Sequence, residues 1–121
     1  MQNKDGQTFD IRVEEVHSGD DIVMMVNLGI DNLFKRVRAR LAGVDCPDAY
    51  RASPETDAGR IRDRVREITR GDCRVIVHQQ GGRGGWLITL LFKDTTQAWV
   101  NLNELLISEG YVYTAHIQKR A

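Results

Sequence analysis

The chain has 121 residues, enough for one domain around a single core, so residues 1–121 are expected to fold as one unit. Lys plus Arg and Asp plus Glu each number 17, a balance that excludes a general polyanion-coating protein and leaves room for a local basic patch. No apolar run approaches the roughly 18 residues of a membrane span.

The first segment, Met1 to Gly6, lacks the apolar stretch of a signal peptide, so a cytoplasmic protein is expected. Cys46 and Cys73 have no metal-type spacing and are expected to be reduced thiols of an intracellular chain. Phe9, Ile11 and Val13 alternate with polar residues at strand period. The acidic turn Ser18-Gly19-Asp20-Asp21 follows, then an apolar strand from Ile22 to Leu28, broken at Gly29-Ile30-Asp31-Asn32. Alternation returns from Phe34 to Leu41, with Val37, Ala39 and Leu41 on one face and Arg36, Arg38 and Arg40 on the other. These three strands with short turns form a meander.

A helix is expected next. Ser53 can cap it, Pro54 suits its first position and Glu55 complements its positive end. Ala58, Ile61, Val65 and Ile68 make an apolar stripe, and Gly71 supplies a stop. The opposite face carries Arg60, Arg62, Asp63, Arg64, Arg66 and Glu67 and reads as solvated. Cys73 to His78 is a strand, Gly81 to Gly85 a flexible loop, Trp86 to Phe92 a strand and Lys93 to Gln97 a turn. Asn101 or Asn103 can cap a short helix carrying Leu102, Leu105, Leu106 and Ile107, stopped by Gly110. Tyr111 to Ile117 is a candidate last strand. The order of elements suggests an α+β, mostly β, closed barrel with packed helices, as in an OB-fold.

The chemistry concentrates in Arg40-Leu41-Ala42-Gly43-Val44-Asp45-Cys46-Pro47-Asp48. A strand enters with an arginine and leaves through two carboxylates around a proline. With the upstream acidic turn, this offers the oxygen ligands and the cation that metal-assisted attack on phosphate requires.

From Phe9 to about Tyr113, the order of motifs resembles the staphylococcal nuclease (thermonuclease-like) family. The shared order is a Gly-Asp turn, the Arg40–Asp48 segment, a helix, a Gly-Arg hairpin and an Asn-x-x-Leu-Ile-x-x-Gly helix. The resemblance implies a five-stranded OB-fold barrel with two or three packed helices. It also implies a calcium-dependent nuclease, a hydrolase of phosphodiester bonds in single-stranded or denatured DNA and RNA. Carried over by motif position, Asp20 and Asp45 would bind calcium through their side chains and Cys46 through its main-chain carbonyl. Arg40 would neutralise charge on the transition state, Asp48 would be the general base, and Arg83 would be a second catalytic arginine.

Three positions depart from the family pattern. Asp48 stands where the family has glutamate, about 1.5 Å shorter, and misplacement on that scale costs about a hundredfold in rate. The family's Asp-x-Tyr-Gly-Arg hairpin is Gln79-Gln80-Gly81-Gly82-Arg83 here, and an ungapped register puts Gly85 at the arginine position. The family's Asp-Gly-Asp-Thr turn begins with Ser18 and ends with Asp21. Asp21 can tighten cation binding or replace the Thr without reaching the ion. Arg36 and Arg38 are read as solvated, with phosphate steering as the alternative. His17, His78 and His116 are read as surface or structural. These departures sustain a second expectation, a catalytically degenerate OB-fold module that binds nucleic acid or protein.

Overall fold

The computed structural model describes residues 6–81 and 85–112. Five strands close a barrel: β1 (Gln7–Ser18), β2 (Asp21–Asn27), β3 (Phe34–Leu41), β4 (Cys73–Gln79) and β5 (Trp86–Lys93). β1 pairs antiparallel with both β2 and β4, β2 with β3, and β4 with β5. A short parallel pairing of β3 with β5, from Ala39–Trp86 to Leu41–Ile88, completes the circuit. This is a mixed, OB-like α+β barrel with one added strand, β6 (Trp99–Asn101), on the outer edge of β5. Two helices pack on it, α1 (Asp57–Ile68) between β3 and β4, and α2 (Leu102–Ser108) after β6.

The alternating pattern of β3 decides which side faces in. Val37, Ala39 and Leu41 are buried, whereas Arg36, Arg38 and Arg40 stand outside. β4 buries Cys73, Val75 and Val77, and β5 buries Trp86, Ile88 and Leu90. Each fully buried Ile or Leu in this set contributes about 1.5–3 kcal/mol over leaving it in water. β1 departs from simple alternation. Register shifts between Val13 and Glu15 and between Val16 and Ser18 turn Val16 and Ser18 inward, although strand period from Ile11 would turn them out.

α1 begins later than Ser53. Thr56 is its N-cap, accepting from the Gly59 N–H at 3.0 Å, while Ser53 opens the preceding turn through Thr56 N–H to its carbonyl. The helix ends at Thr69, whose hydroxyl bonds back to the Val65 carbonyl at 2.8 Å, two residues short of Gly71. Its polar face is not simply solvated. Arg62 turns inward to the Ala49 and Ala52 carbonyls, and Arg64 pairs with Glu109 after α2.

Asn101, not Asn103, caps α2, accepting from the Glu104 N–H at 3.0 Å. Gly110 ends the helix with a positive φ, and the Gly110 and Tyr111 N–H groups return to the Ile107 and Leu106 carbonyls. Asn103 is buried and does different work. Its Oδ1 accepts from Leu90 N–H at 3.0 Å, and its Nδ2 donates to the Ala42 and Ile88 carbonyls at 2.9 and 3.0 Å. It therefore ties α2 to β5 and to the chain leaving β3. Asn103→Ala leaves these buried groups unmatched and is expected to cost about 2–3 kcal/mol, read as a lower urea midpoint with unchanged slope.

Two expectations extend beyond the described residues. The last strand, Tyr111 to Ile117, is seen only as far as Val112, which bridges to Val44. In the loop Gly81–Gly85, residues 82–84 lie outside the described residues, and Arg83 with them. No helix among the described residues is long and apolar enough to cross a membrane.

Candidate functional site

Three pieces of chain meet at one end of the barrel: the β1–β2 turn, the end of β3, and the loop from Val44 to Thr56. Antiparallel pairing of β2 with β3 sets Asp21 opposite Arg40, so the acidic turn and the strand arginine are neighbours by register. The Leu41 N–H donates to the Asp20 carbonyl at 3.0 Å. Ser18, now facing inward, accepts from the Ala49 N–H at 3.0 Å and pulls the loop onto the turn. The Cys46 main-chain N–H donates to the Asp20 carboxylate. Arg62 holds the far side of the loop through the carbonyls of Ala49 (3.1 Å) and Ala52 (2.7 Å).

Gly19 makes this close approach possible. A Cβ there would sit 2.6 Å from Ile61 Cγ2 and 2.7 Å from Cys46 Sγ. Gly19→Ala is expected to destabilise the fold by about 1–3 kcal/mol through overpacking. Adding Cys46→Ala should recover part of that loss, because it removes one of the two colliding atoms; denaturant midpoints of the single and double variants check this.

The cleft so formed has a volume of about 680 Å³ and is lined in part by Asp20, Asp45, Asp48, Arg38, Arg40 and Tyr50. Arg40 Nη2 lies 3.6 Å from Asp20 Oδ2, with the arginine half exposed and the aspartate buried. Arg38 grips Asp21 with both arms of its guanidinium, Nε at 3.1 Å and Nη2 at 2.7 Å. Arg36 pairs with Glu14 and Glu15. Among the three strand arginines, Arg40 is the one whose partner is the buried aspartate of the cleft.

Burial raises the Asp20 carboxyl above its ordinary value. The Arg40 charge and the Cys46 N–H oppose that rise, and the Asp45 charge adds to it. Keeping this carboxylate buried therefore has a cost, which the Arg40 charge and the Cys46 N–H partly offset. The Cys46 thiol is pushed up to about 12, mainly by burial and then by Asp20 and Asp45. Calcium is a hard cation that takes oxygen ligands, so the main-chain carbonyl of Cys46 is the atom of this residue suited to it. Both Cys46 and Cys73 are buried free thiols.

Asp48 is exposed, and its Oδ1 accepts from the Tyr50 N–H at 3.0 Å in an Asx turn. Among the described residues, no three His, Cys, Asp or Glu side chains gather into a metal-holding group. Asp20, Asp45 and Asp48 thus share a cleft without forming a three-carboxylate cage. By type alone, the Asp20 and Asp45 carboxylates and the Cys46 carbonyl are oxygen donors of the kind a hard cation takes.

The ungapped hairpin register meets a steric limit. Gly85 has φ +82, and a Cβ there would lie 2.1 Å from the Arg38 carbonyl oxygen. No arginine fits at that position on this backbone. Any second arginine must come from elsewhere, and Arg83 lies outside the described residues. Sequence reasoning missed Ser18 and Arg62 as anchors of the loop and Tyr50 as a lining residue; only the Asp48–Tyr50 turn had a local signal, an Asp two residues before the bonded N–H. A scan against protein-family models returns no match, and a search of curated proteins returns none.

Proposed function

We propose that this cleft binds a phosphodiester and that the protein is a calcium-dependent nuclease acting on single-stranded or denatured DNA and RNA. The observation that carries the reading is the placement of Asp20, Asp45 and Arg40 in one cleft by the packing of the two acidic turns. The order of motifs shared with the staphylococcal nuclease family supports it.

Calcium held by Asp20, Asp45 and the Cys46 carbonyl would supply positive charge beside the phosphate. Arg40 is the residue that meets the negative charge growing on phosphate oxygens, with a fork of donors that never loses its proton. Asp48 keeps Oδ2 for the proton of the attacking water, since Oδ1 is engaged by the Tyr50 N–H. The water oxygen forms the new bond to phosphorus, the ester bond to one sugar oxygen breaks, the water's proton passes to Asp48, and the departing sugar oxygen takes a proton from solvent to leave as a hydroxyl. Arg83 on the glycine-rich hairpin is the proposed second arginine.

A second reading, a binding module without chemistry, is favoured by the Asx turn that occupies Asp48 and by the Asp21 carboxylate that neutralises Arg38. Incubation of heat-denatured DNA and of RNA with calcium or with chelator separates the two. Cleavage confined to calcium supports the nuclease. Salt-dependent strand binding without cleavage in either buffer supports the module.

A further inference from the structure

We infer that Tyr50 is the base-stacking platform of the cleft, so that the site selects phosphodiesters whose neighbouring base is unpaired; this rests on the reading of the cleft as a phosphodiester site. Tyr50 is 67% exposed and lines the same cleft as Arg40, whereas its neighbour Ala49 is fully buried. The loop around it is pinned. Ala49 N–H is held by Ser18 Oγ, Tyr50 N–H by Asp48 Oδ1, and the Ala49 and Ala52 carbonyls by Arg62. Arg51, in the left-handed region at φ 61, places its guanidinium 5.1 Å from the centroid of the Tyr50 ring.

A large aromatic ring kept in water forgoes the stabilisation that burial would give. Here the backbone on both sides of the ring is fixed, so a ligand that stacks on it incurs little ordering cost. Every base has a π face, so such a platform accepts any base and needs only that the base be free of its helix. Arg51 covers one ring face with a cation, which strengthens the electrostatics near a phosphate chain. A free phosphate or an abasic strand gains nothing from Tyr50, and a duplex hides its bases in its own stack.

The test uses fluorescence anisotropy in calcium buffer with two probes: phosphorothioate-linked oligothymidylate and an abasic strand of equal length. Tyr50→Ala is expected to weaken oligothymidylate binding by about 5- to 150-fold, the range for one lost base–aromatic stack. It should leave abasic binding and the salt slope unchanged, since Tyr50 neutralises no phosphate. Tyr50→Trp should retain or tighten oligothymidylate binding, whereas Arg40→Ala should weaken both probes alike and only by a small factor, since most of its effect falls on the transition state. Equal oligothymidylate affinity in wild type and Tyr50→Ala, or equal losses on both probes, overturns the platform while leaving the phosphate site standing. Failure of the wild type to bind either probe overturns the phosphodiester reading and the platform with it.

Discussion

Asp20→Asn makes the apo protein more stable and takes away its response to calcium. The carboxylate is buried, and among the described residues the full charge of opposite sign paired with it is Arg40 at 3.6 Å, itself half exposed. Removing the charge relieves the desolvation cost, and the freed arginine remains in solvent. The expected gain at neutral pH is about 0.5–2 kcal/mol, the size common where a functional position has been held at the expense of stability. The pH dependence has a definite sign. The Asp20 carboxyl is raised by burial, so the native state holds its proton more tightly than the unfolded chain does. That contribution is fully present below the ordinary aspartate value and is lost as pH rises through the folded value. The advantage of Asp20→Asn over wild type should therefore grow across that window and then level off. Glu109, Asp63 and Asp94, whose carboxyls lie below their usual range through Arg64, Arg62 and Thr96, titrate in both proteins and cancel in the difference. Thermal melts across pH, with and without calcium, read both effects. A variant less stable than wild type at neutral pH, or one that calcium still stabilises, would contradict the assignment of Asp20.

Arg40→Ala lowers calcium-dependent hydrolysis of single-stranded DNA by about 100- to 1,000-fold, the loss typical of one charge-stabilising donor in a closed site. Most of the loss should fall on kcat, because the guanidinium is placed to meet charge that grows during the reaction. Arg40→Ala should also lower stability, because it removes the charge that offsets burial of the Asp20 carboxylate, so the rates are compared at a temperature where both proteins are fully folded. Arg40→Lys keeps the charge without the planar fork and should recover only part of the rate. Steady-state kinetics on a labelled oligonucleotide checks the split. Equal kcat in Arg40→Ala and wild type would remove Arg40 from the chemistry.

The barrel was legible where a strand has one buried face. Val37, Ala39 and Leu41 against Arg36, Arg38 and Arg40 fixed both the period and the inward side of β3, and hence the outward placement of Arg40. The neighbourhood of Arg40 and the acidic turn followed from the short β2–β3 connection and the register it imposes. The loop after β3 was less legible, because long-range bonds hold it: Ser18 to Ala49 across 31 residues, and Arg62 to Ala49 across 13. Neither has a periodic signature. α1 was placed too early because Ser53 and Thr56 are both good capping residues and Pro54 favours the first. The structure uses Thr56 as the cap and lets Ser53 shape the turn before it. β6 is three residues long and too short to show a period. The Gly85 position shows how backbone geometry constrains an alignment: φ +82 and the nearby Arg38 carbonyl exclude any side chain, whatever register the motif suggests.

The most direct measurement is hydrolysis of a single-stranded oligonucleotide by the wild-type protein across a calcium titration, with a chelator control. Saturable activation by calcium, with no cleavage in chelator, is the predicted result. Absence of cleavage at every calcium concentration, or equal cleavage in chelator, would contradict a calcium-dependent phosphodiesterase built on Asp20, Asp45 and Arg40.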